Sequence, residues 1–373
     1  MLLHTGPMPA LKSISSWTSA AACALAAVAA CTAADTVRIG FIGDLGSELG
    51  IGGRNGAELA VSTLNARGGP RYELQVENDR DDPKVVQSSV RSLAARGTAF
   101  VVGPMTSTMA VAAVPEANRV GLVMISPTAT TDALSGKDDF FFRTAADAPT
   151  GARQLARVLH DRGLRSVVVL MDIANGAYSS SFGHAAAMEF LRLGGASAAE
   201  LGYWSGKSLD FASALSHVDA QAPDAVVLVD NPTDAAIASQ HLRRTMPQVV
   251  IALSPWGANT QYLQVGGRAA EGAIALQAVD LESPLAPMRA FADRYRERFG
   301  EAPTTPAVQA YEAVMLGVDA MNRGGAKALR ATLSEPGPRP GLDGEFLMDA
   351  HGDTQRAMHL TRVRDGRFEA LSK

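Results

Sequence analysis

Two short segments carry small hydroxyl side chains directly after apolar runs, namely residues 103–108 (Gly-Pro-Met-Thr-Ser-Thr) and residues 126–131 (Ser-Pro-Thr-Ala-Thr-Thr). Hydroxyls, together with the free N–H groups at the start of a helix, can hold a carboxylate without a basic side chain. Serine and threonine are also common helix caps and turn residues, so either segment alone favours a structural role. Because both segments follow predicted strands, we expect them to share a binding site. The candidate contacts are Thr106, Ser107, Thr128, Ala129 and Thr130.

The glycine-rich segment 43–56 resembles a dinucleotide-binding loop only superficially. Asn55 occupies the position of the third glycine in the Gly-x-Gly-x-x-Gly pattern. The loop also carries Asp44 and Glu48, whose charges would repel a pyrophosphate. We therefore expect no nucleotide cofactor, and we interpret the glycines as a flexible rim of a cleft.

Other familiar catalytic and metal-binding patterns are incomplete in this sequence. Segment 202–208 has three residues between its two glycines, whereas a phosphate-binding loop has four. The seven histidines are scattered, and no histidine or cysteine pair has metal-ligand spacing. Asp349, His351 and Asp353 fit a hairpin turn better than a calcium loop, since the other ligands of such a loop are missing. We expect no metal, no cofactor and no catalytic activity.

Apolar runs that predict strands alternate with longer amphipathic stretches that predict helices. The predicted strands are residues 37–43, 73–78, 99–103, 122–126, 166–172, 198–203, 225–229 and 249–254. The predicted helices are residues 55–66, 85–96, 110–119, 151–162, 181–193, 211–220, 233–245, 287–299 and 306–322. This alternation predicts an α/β fold of two doubly wound parallel-sheet lobes, since 373 residues exceed one compact core. Turn residues at 341–371 predict terminal hairpins.

The segment at positions 1–30 has the layout of a secretory signal. It contains Lys12 as its only lysine or arginine, no acidic residue, and an alanine-rich run at 20–30 that is too short to span a bilayer. Residues 28–31 (Val-Ala-Ala-Cys) resemble a bacterial lipobox and predict lipidation of Cys31, and ordinary cleavage after the alanines fits equally. The only two cysteines lie in or beside this segment, so no disulfide is expected in the mature chain.

The composition argues against several classes of protein. Hydrophobic residues make up 47% of the chain and charged residues 19%, which suits large buried cores rather than disorder. The net charge is −4, and loss of Lys12 with the signal leaves 33 basic against 38 acidic side chains. Such a surface does not favour nucleic acid or anionic membrane as a partner.

Five motifs together resemble one known family. They are residues 78–84 (Asn-Asp-Arg-Asp-Asp-Pro-Lys), 102–104 (Val-Gly-Pro), 123–127 (Val-Met-Ile-Ser-Pro), 142–144 (Phe-Arg-Thr) and 348–353 (Met-Asp-Ala-His-Gly-Asp). From residue 37 onward the chain resembles the leucine/isoleucine/valine-binding family of type I periplasmic binding proteins. The resemblance implies two lobes joined by a three-crossing hinge, with lobe 1 at 36–147 plus 254–335 and lobe 2 at 148–253 plus 336–373. It also implies a non-enzymatic, periplasmic or membrane-tethered solute-binding protein that delivers a small molecule to an ABC transporter permease.

The resemblance also assigns ligand contacts in both lobes. In the first lobe it places the ligand carboxylate on Ser107, Thr128 and Thr130. In the second lobe it implies an aromatic contact from Tyr178, with Asp230 and Asn231 at the next strand end. The ligand would therefore be enclosed only when the two lobes come together.

The sequence departs from the family pattern at Trp256, where amino-acid-binding relatives usually carry an acidic residue that pairs with the ligand ammonium. A buried ammonium without a partner would cost several kcal/mol. Either Asp230 or Glu48 supplies that charge, or the ligand has no α-amine and stacks on Trp256. We expect an amino acid or related small carboxylate, with an aromatic or other organic acid as one alternative. The second alternative is a lipid-anchored sensor or envelope regulator that has the same fold.

Overall fold

The structure is a computed structural model that describes residues 1–4, 6 and 36–371. The predicted lipidation site Cys31 lies outside these residues, as does most of the predicted signal at 1–30. Among the residues described, no helix is both long and apolar enough to span a membrane.

Strands and helices alternate through most of the described chain. The strands are β1 (Val37–Gly43), β2 (Tyr72–Asn78), β3 (Phe100–Val102), β4 (Met124–Ser126), β5 (Phe141–Arg143), β6 (Ser166–Asp172), β7 (Ser197–Tyr203), β8 (Ala225–Val229), β9 (Val250–Leu253), β10 (Ile274–Gln277), β11 (Gly337–Arg339), β12 (Phe346–Met348), β13 (Thr354–Gln355), β14 (His359–Arg364) and β15 (Arg367–Ala370). The α-helices are α1 (Glu48–Ala66), α2 (Pro83–Ala95), α3 (Ser107–Val120), α4 (Ala148–Asp161), α5 (Gly176–Arg192), α6 (Ser208–Gln221), α7 (Pro232–Thr245), α8 (Thr260–Gly266), α9 (Ala286–Phe299), α10 (Thr305–Gly324) and α11 (Leu329–Leu333).

The first lobe is built on a five-stranded sheet of order β2-β1-β3-β4-β5, in which every neighbouring pair is parallel. Successive side chains of a strand point to opposite faces of its sheet. In β1, Ile39 and Phe41 accordingly pack with α1, α9 and α10, while Ile42 packs with α2 and α3 on the other face. Helices therefore cover both faces, as the predicted doubly wound fold requires.

The second lobe is built on a seven-stranded sheet of order β15-β14-β10-β9-β8-β6-β7. Its strands are parallel except at the hairpin of β14 and β15, which pairs antiparallel to β10. Helices α4 and α5 pack on one face, and α6, α7 and α8 pack on the other. All five residues of β8 are buried, as expected for a central parallel strand. These two sheets confirm the predicted two-lobe α/β fold.

The chain passes between the lobes three times, which confirms the predicted hinge. The crossings are residues 144–147 between β5 and α4, residues 278–285 between β10 and α9, and residues 356–358 between β13 and β14. The first crossing runs beside β13, which leads directly into the third, because Ala146 and Thr354 form a parallel bridge. Hinge motion in this arrangement must bend neighbouring chain segments together.

The lobe boundaries predicted at residues 254 and 336 differ from the observed sheet membership. Strand β10 pairs with β9 and β14 in the second sheet, and Tyr262 of α8 packs in the second lobe's core. Strands β11, β12 and β13 form a separate antiparallel sheet, and Phe346 and Met348 of β12 pack in the core of the first lobe. The second crossing therefore follows β10 rather than β9, and the third follows β13 rather than α11.

The glycine-rich segment 43–56 does not form the predicted flexible rim, because most of it belongs to the first turns of α1. A Cβ atom at Gly56 would lie 2.0 Å from the Ala307 carbonyl oxygen, and one at Gly52 would lie 2.5 Å from Thr304 Oγ1. Helices α1 and α10 thus approach closely where these side chains are missing. The glycines serve packing inside the first lobe, at a cost in helix propensity.

Candidate functional site

Direct hydrogen bonds join the two lobes beside the carboxyl ends of their strands. The Thr108 amide and hydroxyl lie 3.2 and 3.3 Å from Asn175 Oδ1, and the Ala177 amide donates to Thr108 Oγ1 at 3.3 Å. The Asp132 amide donates to Ser181 Oγ at 3.3 Å. The start of α3, the loop after β4 and the start of α5 therefore lie together, where ligands bind in open parallel sheets.

The structure brings the two hydroxyl-bearing segments of the first lobe into contact. Ser107 Oγ accepts from the amides of Thr130 at 3.0 Å and Thr131 at 3.2 Å. Ser107 is 1% exposed, and its hydroxyl still has a hydrogen to donate. Thr130 Oγ1 is buried and has no hydrogen-bond partner among the described residues. Two hydroxyls of the first lobe are thus left with unused hydrogen-bonding capacity.

Three other predicted contacts of the first lobe have their polar groups engaged elsewhere. Thr106 caps α3 by accepting from the Met109 amide, and its hydroxyl also donates to Asp81. Thr128 Oγ1 donates to the Met105 carbonyl. Ala129 is buried in the core beside α3. These residues shape the loops, which is the structural role that capping chemistry favours.

Tyr178 lies in the second lobe, in the first turn of α5. The residue is 7% exposed, and its ring meets the Trp256 ring edge-on at 5.8 Å between centroids. Its hydroxyl lies near Ser254 and the Trp256 backbone but makes no hydrogen bond of normal geometry. Burial raises the pKa of Tyr178, so the hydroxyl stays neutral and can donate.

Asp230 lies at the carboxyl end of β8 and is completely buried. The Tyr203 hydroxyl and the Asp172 backbone lie near its carboxylate, but neither Asp230 oxygen makes a hydrogen bond of normal geometry in the described part of the chain. Burial, followed by the neighbouring carboxylates of Asp172 and Asp234, raises the pKa of Asp230 well above its ordinary value. A negative charge here is uncompensated, and native proteins rarely bury such a charge without a partner.

The carboxylates beside Asp230 already have protein partners. Asn231 caps α7 and donates to Asp234 at 2.9 Å and Asp172 at 3.4 Å, so its amide has a structural role. The Tyr203 hydroxyl donates to Asp234 at 3.0 Å. The described residues include no group of acidic, histidine or cysteine side chains arranged to hold a metal ion.

Unpartnered buried oxygens concentrate at the junction of the lobes. Among the described residues, the buried side-chain oxygens without a partner are Thr130 Oγ1, Tyr178 OH, both Asp230 oxygens, Ser254 Oγ and Thr304 Oγ1. All but the last lie on strand-end loops or the start of α5. Sequence reasoning missed Ser254, although it is the last residue of a predicted strand. Within its described part, the protein thus leaves three hydroxyls and one carboxylate near the junction without partners, namely those of Thr130, Tyr178, Ser254 and Asp230.

Glu48, the other carboxylate that the sequence offered to a ligand ammonium, is engaged in the structure. Glu48 Oε2 accepts from Asn259 Nδ2 of the second lobe at 3.1 Å. Burial raises the pKa of Glu48, and this hydrogen bond partly offsets the effect. Of the two candidates, only Asp230 lacks a protein partner among the described residues.

Residues 36–367 match the family model described as periplasmic binding protein. The chain therefore belongs to the periplasmic binding protein family. It is 27% identical over 272 residues to the Leu/Ile/Val-binding protein homolog 3 of Brucella melitensis, covering 71% of this chain and 73% of that protein. As a periplasmic binding protein, it binds a solute outside the cytoplasm.

Solved structures of solute-binding proteins with different ligands share this fold. LivJ from Streptococcus pneumoniae, in complex with isoleucine, has a TM-score of 0.79 at 24% identity, covering 90% of this chain and 98% of that one. A solute-binding protein from R. palustris, in complex with benzoate, has a TM-score of 0.81 at 18% identity, covering 90% and 95%. The fold alone therefore does not distinguish an amino acid from an aromatic acid.

A second buried carboxylate near the junction should make the stability of this periplasmic binding protein depend on pH. Burial and the nearby charges of Asp81 and Asp44 raise the pKa of Asp79 to about 6, and Asp79 is 2% exposed. Above pH 6 the ionised Asp79 therefore destabilises the folded state. This penalty disappears as the pH falls towards the ordinary pKa of an aspartate. We expect Asp79→Asn to raise the free energy of unfolding by about 1 to 3 kcal/mol at pH 7.5. Urea unfolding at pH 7.5 and pH 4 tests this, and an equal gain at both pH values would contradict it.

Proposed function

We propose that this periplasmic binding protein is the solute-binding component of an ABC transporter and carries an amino acid. The observation that supports this most is the Asp230 carboxylate, which is buried, unpartnered among the described residues and flanked by other carboxylates. A ligand ammonium would supply the missing counter-charge. A charge-assisted hydrogen bond of this kind is among the strongest in proteins.

The two lobes offer complementary chemistry to a zwitterion. The first lobe offers the Ser107 and Thr130 hydroxyls, and Tyr178 adds a neutral donor from the second lobe. These donors suit the α-carboxylate, while Asp230 suits the α-ammonium. The Trp256 ring, which is partly exposed beside Tyr178, then offers an apolar face to the ligand side chain.

An aromatic acid without an amine fits this site less well. Its carboxylate could use the same hydroxyl donors, but nothing in it would neutralise Asp230. The ligand would also bring a further negative charge towards Asp172 and Asp234. Like charges in a buried site repel strongly, so we favour an amino acid over benzoate-like ligands.

Ligand-driven closure follows from this division of contacts. A ligand held by Ser107 and Thr130 can reach Asp230 and Tyr178 only when the lobes meet, so it binds the closed form more tightly. Bending at the three crossings would bring the lobes together. The closed form would then be recognised by a membrane permease, with the chain exported by its N-terminal signal and lipidated at Cys31.

A thermal-shift screen tests the ligand class, since a ligand that binds only the folded state raises the melting temperature. We expect at least one of the twenty L-amino acids to stabilise the protein, and benzoate and 4-hydroxybenzoate to have no effect at the same concentration. Small-angle scattering with the strongest amino acid should show a smaller radius of gyration. Stabilisation by the benzoates alone would overturn the proposal, and no response to any compound would favour the sensor alternative.

Replacing the first-lobe serine should weaken amino-acid binding. Ser107→Ala removes a donor to the ligand carboxylate, and we expect a loss of about 1 to 3 kcal/mol, or roughly 5-fold to 150-fold in Kd. Ser239→Ala is a matched control, because Ser239 is equally buried and bonds only to Ala235 and Tyr262 in the second lobe. Calorimetry measures both variants, and equal affinity of Ser107→Ala and wild type would remove Ser107 from the site.

A further inference from the structure

An ion pair between the buried Arg143 and the partly exposed Asp353 contacts the loop that carries Thr130. Arg143 at the end of β5 is 0% exposed, and its Nη1 donates to the Thr131 carbonyl at 2.9 Å. Its Nη2 donates to the Ser135 hydroxyl and to Asp353 Oδ1, the latter at 2.5 Å. Through Arg143, the loop after β4 is therefore joined to the C-terminal turn, where Asp353 lies 210 residues beyond Arg143 in sequence.

The ion pair also reaches the far end of this loop. The other oxygen of Asp353 accepts from the Gly136 amide at 2.7 Å. Both ends of segment 131–136 are thus bound to one pair of opposite charges. A guanidinium binds several acceptors in a fixed planar geometry, so it restricts where the loop can lie.

The backbone of Thr130 is fixed at the same time from two other directions. Its amide donates to Ser107 Oγ at 3.0 Å, and its carbonyl accepts from the Ala148 amide at 2.7 Å. Its hydroxyl is the one polar group of Thr130 without a partner in the described structure. Because the backbone position sets the direction of a β-branched side chain, the loop determines where this hydroxyl points.

We propose that Arg143 and Asp353 are positioning residues that set the Thr130 hydroxyl for the ligand. The inference rests on the proposed function, in which Thr130 contacts the bound solute. The same loop takes a closing contact from the second lobe, since the Asp132 amide donates to Ser181 Oγ. The C-terminal turn thereby contributes to affinity without touching the ligand.

Asp353→Asn tests the proposal, because it removes the charge of the pair and keeps the size of the side chain. Its matched control is Glu189→Gln, which breaks the ion pairs of a more deeply buried carboxylate with Arg157 and Arg192 on the second lobe. We expect Asp353→Asn to weaken L-leucine binding by about 5-fold to 50-fold, and Glu189→Gln to leave it unchanged. In a double-mutant cycle, Asp353→Asn should raise the Kd of the Thr130→Val variant by less than about 2-fold, because both substitutions act through the same hydroxyl.

Hydrogen exchange of the ligand-free proteins provides a readout that needs no ligand. Asp353→Asn should speed amide exchange in residues 127–137, whereas Glu189→Gln should not. Unchanged exchange in this segment, or full additivity with Thr130→Val, would overturn the positioning role. If the wild type does not bind L-leucine, the affinity comparison uses the amino acid that stabilises it most; if it binds no amino acid, the proposed function fails and the exchange experiment alone decides on the ion pair.

Discussion

Asp230→Asn should remove most amino-acid binding and make the ligand-free protein more stable. The substitution removes the only counter-charge that we assign to the ligand ammonium. Truncating one partner of a buried charge pair costs about 2 to 5 kcal/mol, or roughly 30-fold to several thousand-fold in Kd. Without ligand, the ionised Asp230 is penalised by burial and by its acidic neighbours, so its removal relieves the folded state. The gain should be present at pH 7 and shrink as the pH falls towards 4.

Asp224→Asn is the matched control, since Asp224 directly precedes β8 and Asp230 directly follows it. Asp224 accepts from the Arg165 and Ser166 amides, and these bonds lower its pKa. Asp224→Asn should leave the ligand affinity unchanged. It should also lower the free energy of unfolding, whereas Asp230→Asn should raise it. Calorimetry and urea unfolding measure both quantities. An Asp230→Asn variant that binds within 3-fold of wild type, or that is less stable, would contradict the assignment.

Arg356→Met should destabilise the protein by about 3 to 5 kcal/mol. Arg356 contacts Glu312 at 2.5 Å and also pairs with Asp343, and none of the three side chains is more than 4% exposed. The variant would leave the buried Glu312 without its cation and Asp343 with His359 as its remaining side-chain partner. The cluster also binds the other two crossings, because Arg356 donates to the Thr144 carbonyl and Asp343 accepts from the Asp280 amide. We therefore expect Arg356→Met to lower the free energy of unfolding more than the loss of any other ion pair at the hinge.

Equilibrium unfolding in urea measures the effect of Arg356→Met. Arg323→Met is a suitable control, because Arg323 pairs with Asp319 and Glu335 through side chains that are all at least 40% exposed. Such surface pairs contribute about 0 to 1 kcal/mol. A loss for Arg356→Met no larger than that of the control would show that the buried cluster does not hold the crossings together.

Much of the fold is predictable because its strands and helices carry strong local patterns. The predicted strand at 37–43 coincides with β1, and the helix predicted at 233–245 begins one residue late. Helix α1 was predicted to begin at residue 55 rather than Glu48, since its first turns are rich in glycine, which disfavours helices. Strand β10 was missed because its place depends on pairing with β14, far away in sequence.

The candidate site is only partly predictable, because a residue type does not reveal which partner its polar atoms will choose. Strand-end position drew attention to Ser107, Thr130 and Asp230, which retain free hydrogen-bonding capacity. The same rule also selected Thr128, whose hydroxyl bonds the backbone of a neighbouring loop instead. Whether a hydroxyl is bonded or left free depends on the tertiary structure around it, which the spacing of residues in the sequence does not reveal.

A crystal structure with the amino acid that stabilises the protein most would test the central claim directly. We predict that the ligand nitrogen lies about 2.7 to 2.9 Å from an Asp230 carboxylate oxygen, with the ligand carboxylate facing Ser107 and Thr130. A bound ligand that leaves both Asp230 oxygens unpartnered, or that places its carboxylate beside them, would contradict the account.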